Sequence, residues 1–177
     1  MENHNTTTPE DEKDCAQTPT WFVTALEKYL GCMRFGMDVC ANEATAKCFH
    51  YYSLAENNED ALKLHWDRLN FCNPPYSDIL PWAKKAATEA GNGCTSALLI
   101  PDKPEVKYMQ FCRMFADTII HMPFRLNFLR PDGSPFLDKQ GKKQGPKFPV
   151  CVILFTPHGL TMPVRDTYFD FRTLRKF

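Results

Sequence analysis

Residues 69–76, Leu69-Asn70-Phe71-Cys72-Asn73-Pro74-Pro75-Tyr76, join a short apolar run to an abrupt, rigid ending. The run reads as a buried strand that stops at Asn73. Pro74 and Pro75 then stiffen the backbone in an extended path, and neither carries a backbone N–H. The corner therefore offers carbonyl oxygens and the Asn73 amide oxygen, and few donors, with the flat ring of Tyr76 beside them. Such an arrangement suits an exocyclic amino group on a planar ring, which needs two acceptors and a stacking surface.

At 177 residues the chain is long enough for one domain with a substantial core, and 44% apolar with 24% charged residues is ordinary for a soluble globular protein. No stretch approaches the roughly 18 uninterrupted apolar residues of a membrane span, and residues 1–14 do not resemble a signal peptide. These features predict an intracellular, cytoplasmic protein. The eight cysteines include no Cys-x-x-Cys and no zinc-finger spacing, so buried free thiols are expected and no metal. Net charge is zero but unevenly spread: residues 1–70 carry 6 Lys/Arg against 12 Asp/Glu, whereas 123–177 carry 10 against 4. A basic C-terminal third fits a polyanionic partner or an ordinary solvated surface.

Outward from the central stretch, residues 1–16 are polar and acidic and are expected to form a mobile tail. Trp21, Phe22, Leu26 and Leu30 share a helix face that ends near Gly31, with Thr20 as its cap. Short strands are predicted at 35–41 and 48–52. Between them 42–48 suits a short helix, and another is expected to carry Leu62 and Trp66. Ser77 can cap the next helix, Pro81 falls in its first turn, and Ile79, Trp82, Ala83, Ala86, Ala87 and Ala90 repeat at helical spacing. Strands follow at 97–100, 119–122, 125–129 and 150–155, with a helix at 106–115. The connection 131–147, rich in glycine and lysine, is long for a compact domain and so is functional or mobile. Alternating strands and helices predict an α/β fold, a mainly parallel sheet with helices on both faces and an antiparallel edge. In such sheets ligands bind beyond the strand carboxyl ends, here at 38–41 and 73–76.

Three stretches in this order resemble a known family: Thr18-Pro19 before a helix, Asp38-Val39-Cys40-Ala41 ending a strand, and Asn73-Pro74-Pro75-Tyr76 ending a later one. The combination is similar to the S-adenosylmethionine-dependent amino-methyltransferases of DNA, and most to the small phage-type DNA N-6-adenine methyltransferases (Dam-like). Asp14-Cys15, Lys47-Cys48, Asp60-Ala61-Leu62 with Trp66, Tyr76-Ser77-Asp78-Ile79 with Trp82, and Arg125-Leu126 with Phe128 also match the family's pattern. The sequence departs from a common pattern at two places. The turn after Asp38 lacks the glycines of Asp-x-Phe-x-Gly-x-Gly, and Phe124 precedes Arg125 where glycine is expected.

The resemblance implies a single Rossmann-like methyltransferase domain over 17–177 that transfers a methyl group from S-adenosylmethionine to the amino group of adenine in DNA. It implies that Asn73 and the Pro74 carbonyl accept the two amino hydrogens, that Pro75 stiffens the corner, and that Tyr76 stacks on a base swung out of the duplex. It places Thr18, Pro19, Asp38, Val39, Cys40 and Ala41 around the cofactor, with Asp38 at its amino-acid end. Asp60 is either near the cofactor's adenosine or simply a helix cap. Ser77, Arg125 and the loop lysines Lys139, Lys142, Lys143 and Lys147 become candidates for DNA contact. The same corner also occurs in enzymes acting on RNA or protein glutamine, and a non-catalytic module of the same fold is a further alternative.

Overall fold

The computed structural model describes residues 16–32, 34–137, 140–143, 145, 148–157 and 162–175. The expected tail therefore lies almost wholly outside the described residues, as do Lys139 and Lys147. In chain order the elements are α1 (Thr20–Leu30), β1 (Met37–Asp38), β2 (His50–Tyr51), the one-turn α2 (Leu54–Asn57) and β3 (Leu69–Cys72). They continue with α3 (Leu80–Gly91), β4 (Thr95–Pro101), α4 (Lys107–Phe115), β5 (Thr118–His121), β6 (Val150–Phe155), β7 (Arg165–Tyr168) and a 3-10 turn (Phe171–Leu174).

Among the described residues one sheet contains seven strands in the order β2-β1-β3-β4-β6-β5-β7. Parallel pairing joins β1 to β2 and β3, β3 to β4, and β5 to β7. Only β6 runs antiparallel, to β4 on one side and β5 on the other. The fold is thus mixed α/β with a mostly parallel sheet, as expected, but the antiparallel strand is interior and not an edge. The residues explain this. All of Val150–Phe155 is buried, and a strand apolar on both faces belongs between neighbours. The true edge, β7, is Arg165-Asp166-Thr167-Tyr168, polar and largely exposed, as an edge that must resist further pairing should be.

Alternation along the strands divides the core into two layers. Cys72, Leu98, Ile100, Ile119 and Ile153 pack with Ala83, Ala86 and Ala90 of α3 and with Met109 and Cys112 of α4. Phe71, Ala97, Leu99, Ile120 and Val152 point the other way, onto Phe22, Val23 and Leu26 of α1 and onto Phe171. Helices therefore cover both faces. Each fully buried Leu, Ile or Phe contributes about 1.5–3 kcal/mol. Gly31 ends α1 at a φ of +67°, where a side chain would be strained.

Several local expectations shift for identifiable reasons. Residues 42–48 form one turn and no helix, because the Asn42 side chain accepts the Thr45 backbone N–H at 3.0 Å and closes the turn on itself. The helix expected near Leu62 is a turn held by the Asp60 carbonyl, which accepts from the N–H groups of Lys63 and Leu64. A helix forms earlier instead, as α2, because Ser53 caps it by accepting the Glu56 N–H at 3.3 Å. Ser77 lies one turn before α3 and does not cap it, while Pro81 does sit in the first turn. Residues 125–129 alternate as a strand does, with Leu126 and Phe128 buried. Only Leu129 finds ladder partners, in Gln17 and Pro135. No helix among the described residues is long and apolar enough to cross a membrane.

The interior placement of β6 has a measurable consequence. Ile153→Ala should lower the free energy of unfolding by about 3 kcal/mol, and Tyr168→Ala on β7 by less than about 0.5 kcal/mol. Equal losses in urea titrations would contradict this strand order.

Candidate active site

The chain leaves β1 for β2 on one side and later returns to place β3 on the other, so the strand order reverses between β1 and β3. A crevice opens beyond the carboxyl ends at such a point. Asp38 is the last residue of β1, and Asn73 follows the last residue of β3. Both line one cleft with about 520 Å³ of empty space, part of it open to solvent, together with Ala16, Thr18, Cys40, Ala41, Asn42, Thr45, Lys47 and Phe71.

Asp38 is only 2% exposed. The turn that follows wraps its carboxylate: Oδ2 accepts the Lys47 backbone N–H at 3.1 Å and Oδ1 the Cys40 N–H at 3.4 Å. Burial pushes its pKa up to about 7, against the opposing pull of those two N–H groups and the Lys47 charge. A carboxyl poised at neutral pH in a cleft is a candidate functional position. Among the described residues only Asn58 combines a side chain with positive φ. The turn after Asp38 therefore needs no glycine, because side-chain and backbone hydrogen bonds at Asn42 and Thr45 shape it instead.

The segment before α1 straps the cleft. The Gln17 backbone pairs with Leu129 in both directions, at 2.7 and 2.9 Å. Its side-chain Nε2 donates to the Ala44 carbonyl at 2.8 Å and the Pro131 carbonyl at 3.1 Å, and its Oε1 accepts from Lys47 Nζ at 2.9 Å. Next to it, the Ala16 carbonyl accepts from Asn73 Nδ2 at 3.3 Å. That bond sets the amide so that Oδ1 is the free end. Among the described residues, Asn73 Oδ1 and Thr18 Oγ1 are both buried without a hydrogen-bond partner. An unpaired buried acceptor costs about 1–3 kcal/mol, so the cleft holds polar groups that a ligand would satisfy.

The structure thus brings Thr18, Asp38, Cys40, Ala41 and Asn73 together. Pro19 is buried at the start of α1, and Val39 turns its side chain into the core, at 0% exposure. Asp60 pairs with Lys63 at 2.9 Å and accepts the Leu62 N–H within its own turn, and it is not among the residues lining the cleft. Pro74, Pro75 and Tyr76 continue the corner outside the lining. The half-buried Tyr76 ring meets Phe128 edge-on at 6.1 Å and Phe148 at 5.9 Å, and its hydroxyl donates to the Leu99 carbonyl at 3.3 Å. Ser77, Arg125, Lys142 and Lys143 are exposed. Phe124, where glycine was expected, packs against Trp21 at 6.2 Å beneath the Arg172 guanidinium at 4.7 Å.

Lys47, Gln17, Asn42 and Thr45 were not singled out for the cleft from sequence alone. The one signal was Lys47-Cys48 as part of the family pattern. The described cysteines are free thiols, and among the described residues no cluster of His, Cys, Asp and Glu could hold a metal.

The raised Asp38 pKa predicts a pH-dependent stability. In the unfolded chain the carboxyl titrates near ~3.9, so the folded state holds its proton more tightly between pH 4 and 7. Its contribution to stability is complete below about pH 4 and is lost as pH rises to about 7. Relative to wild type, Asp38→Asn should therefore gain stability steadily across that window and level off above it. Parallel stability profiles for the two proteins would show that Asp38 titrates normally.

Comparison with known proteins agrees with this arrangement. Residues 5–166 match the family model described as DNA N-6-adenine-methyltransferase (Dam). The chain is 24% identical over 172 residues to a DNA N-6-adenine-methyltransferase of Haemophilus phage HP1 (strain HP1c1), covering 96% of this chain and 94% of that relative. No solved structure matches it. A family match over residues 5–166, joined to a cleft at the strand-order reversal, leads to one conclusion: the chain belongs to the DNA N-6-adenine-methyltransferase (Dam) family.

Proposed function

We propose that the protein is a site-specific enzyme that methylates the exocyclic amino group of adenine in DNA with S-adenosylmethionine as donor, on a single Rossmann-like domain spanning 17–177. The observation that carries this is the buried, unpartnered Asn73 Oδ1 in the same cleft as the Asp38 carboxylate. One is an acceptor awaiting a donor, and the other a negative charge suited to an ammonium group.

In this mechanism Asn73 Oδ1 and the Pro74 carbonyl each accept one hydrogen of the adenine amino group. Both acceptors are fixed in advance, Oδ1 by the Asn73–Ala16 bond and the carbonyl by two consecutive prolines. They localise the nitrogen lone pair and aim it into the cleft, so the contribution of the protein is positioning and preorganised electrostatics. Asp38 holds the amino-acid end of the cofactor, with Thr18, Pro19 and residues 39–41 walling the pocket. When bound, S-adenosylmethionine supplies a methyl group that already carries its leaving group. The target base must leave the duplex to present its amino group. Tyr76, braced by Phe128 and Phe148 and tied at its hydroxyl, is a stiff ring for it to stack on.

DNA affinity falls to the exposed Ser77 and Arg125 and to the loop 131–147, where Lys142 and Lys143 are solvent-facing. Lys139 and Lys147 complete that set. The strap links the two regions, because Gln17 touches both Ala44 by the cofactor turn and Pro131 at the start of the loop. Residues 39–46 include no positive φ, so the turn after Asp38 keeps its shape without glycine, which supports the catalytic reading over a non-catalytic module.

The direct test treats random-sequence DNA with the purified protein and S-adenosylmethionine and analyses the nucleosides by mass spectrometry. N6-methyladenine at defined positions is expected, with RNA and a glutamine peptide as parallel acceptors. Asn73→Ala should reduce turnover by at least about 100-fold while cofactor binding persists. Near-normal methylation by that variant would refute the mechanism. Replacing Lys142 and Lys143 together should lower the slope of log affinity against log salt by about 1–2, and an unchanged slope would remove the loop from the phosphate contacts.

A further inference from the structure

The cleft contains a second charge that the mechanism leaves unused. Lys47 lines it, and its ammonium donates to the neutral Gln17 amide oxygen at 2.9 Å. Asp38 hydrogen-bonds the same residue through its backbone N–H, at 3.1 Å, and feels the ammonium only as a charge, without a direct ion pair. Among the described residues the Lys47 ammonium joins no ion pair, although a buried carboxylate lies on the same turn. Two opposite charges in one partly desolvated cleft would normally collapse onto each other. Here the turn 39–46 and the anchored Gln17 keep them apart. A site built this way suits a ligand that carries both charges itself, in other words a zwitterionic α-amino acid.

We infer that Lys47 is the anion hook for the carboxylate at the amino-acid end of the cofactor, opposite the ammonium-binding Asp38, and that Gln17 is the positioning residue that aims it; the inference rests on S-adenosylmethionine being the cofactor. An ammonium has three donors and Gln17 takes one, which leaves two for a carboxylate. Gln17 is a suitable guide because its own amide cannot swing. Its nitrogen is bound to the Ala44 and Pro131 carbonyls, and its backbone is paired with Leu129. The orphaned Thr18 hydroxyl, 3% exposed and on the same wall, provides a further donor to such a group. Burial also lowers the Lys47 pKa against the pull of Asp38, the state of a desolvated cation that gains from an anionic partner.

The test separates the carboxylate from the rest of the cofactor. Calorimetric titration of the full chain compares S-adenosylmethionine with its decarboxylated form, which keeps the sulfonium, the adenosine and the amine. Wild type should prefer the carboxylated ligand by about 10- to 100-fold, the range of a charge-assisted hydrogen bond. Lys47→Met should bring that preference close to unity by weakening only the carboxylated ligand, and Lys47→Arg should retain most of it. Gln17→Ala, which leaves the ammonium in place but unguided, should reduce it several-fold and carries the test if Lys47→Met fails to fold. An undiminished preference in Lys47→Met, or none in wild type, overturns the assignment while leaving the methyltransferase function standing. Binding of neither ligand by wild type overturns both.

Discussion

The site depends on a carboxylate that the fold buries at a cost. Asp38 ends β1 at the reversal of strand order, and the following nine residues curl back so that the Lys47 N–H reaches it. Its pKa near 7 shows that two N–H groups do not repay the lost hydration in full. A protein selected for stability alone would place a neutral residue there. Retaining the charge makes sense where a cationic ligand group completes the pairing, and the turn 39–47, the strap and the cleft are all arranged around that position.

The same economy governs Asn73. Its amide nitrogen is used to hold the strap, through Ala16, and its oxygen is left without a partner. One bond thus joins the Asn73 corner to the strap and decides which way the amide points. The two prolines after it make the corner rigid without depending on neighbouring strands. Tyr76 is locked by aromatic edges and by the Leu99 carbonyl, so the corner is preorganised and little needs to move at the reacting end.

The strap adds communication between parts of the chain that are far apart in sequence. Gln17 bonds Ala44, Lys47, Leu129 and Pro131, so the turn after Asp38 and the start of the basic loop share one residue. In the proposed function this shared residue links the cofactor side of the cleft to the loop offered to nucleic acid.

Local chemistry was enough to identify the elements that frame the cleft. The Cys72–Tyr76 ending, the apolar runs of β4 and β6, the α3 and α4 periodicities and the Asp38 strand end are set by neighbouring residues, through proline geometry, side-chain alternation and helical spacing. Family resemblance extended this to the chemistry of the corner. What required the tertiary structure was every contact between distant segments. The interior position of β6, the isolated pairing of Leu129 with Gln17, the inward turn of Val39 and the meeting of Lys47 with Gln17 all depend on long-range packing. Sequence patterns report what a residue's own backbone prefers; which partner it meets is decided only when two buried faces and a strand-order reversal close around the same cleft.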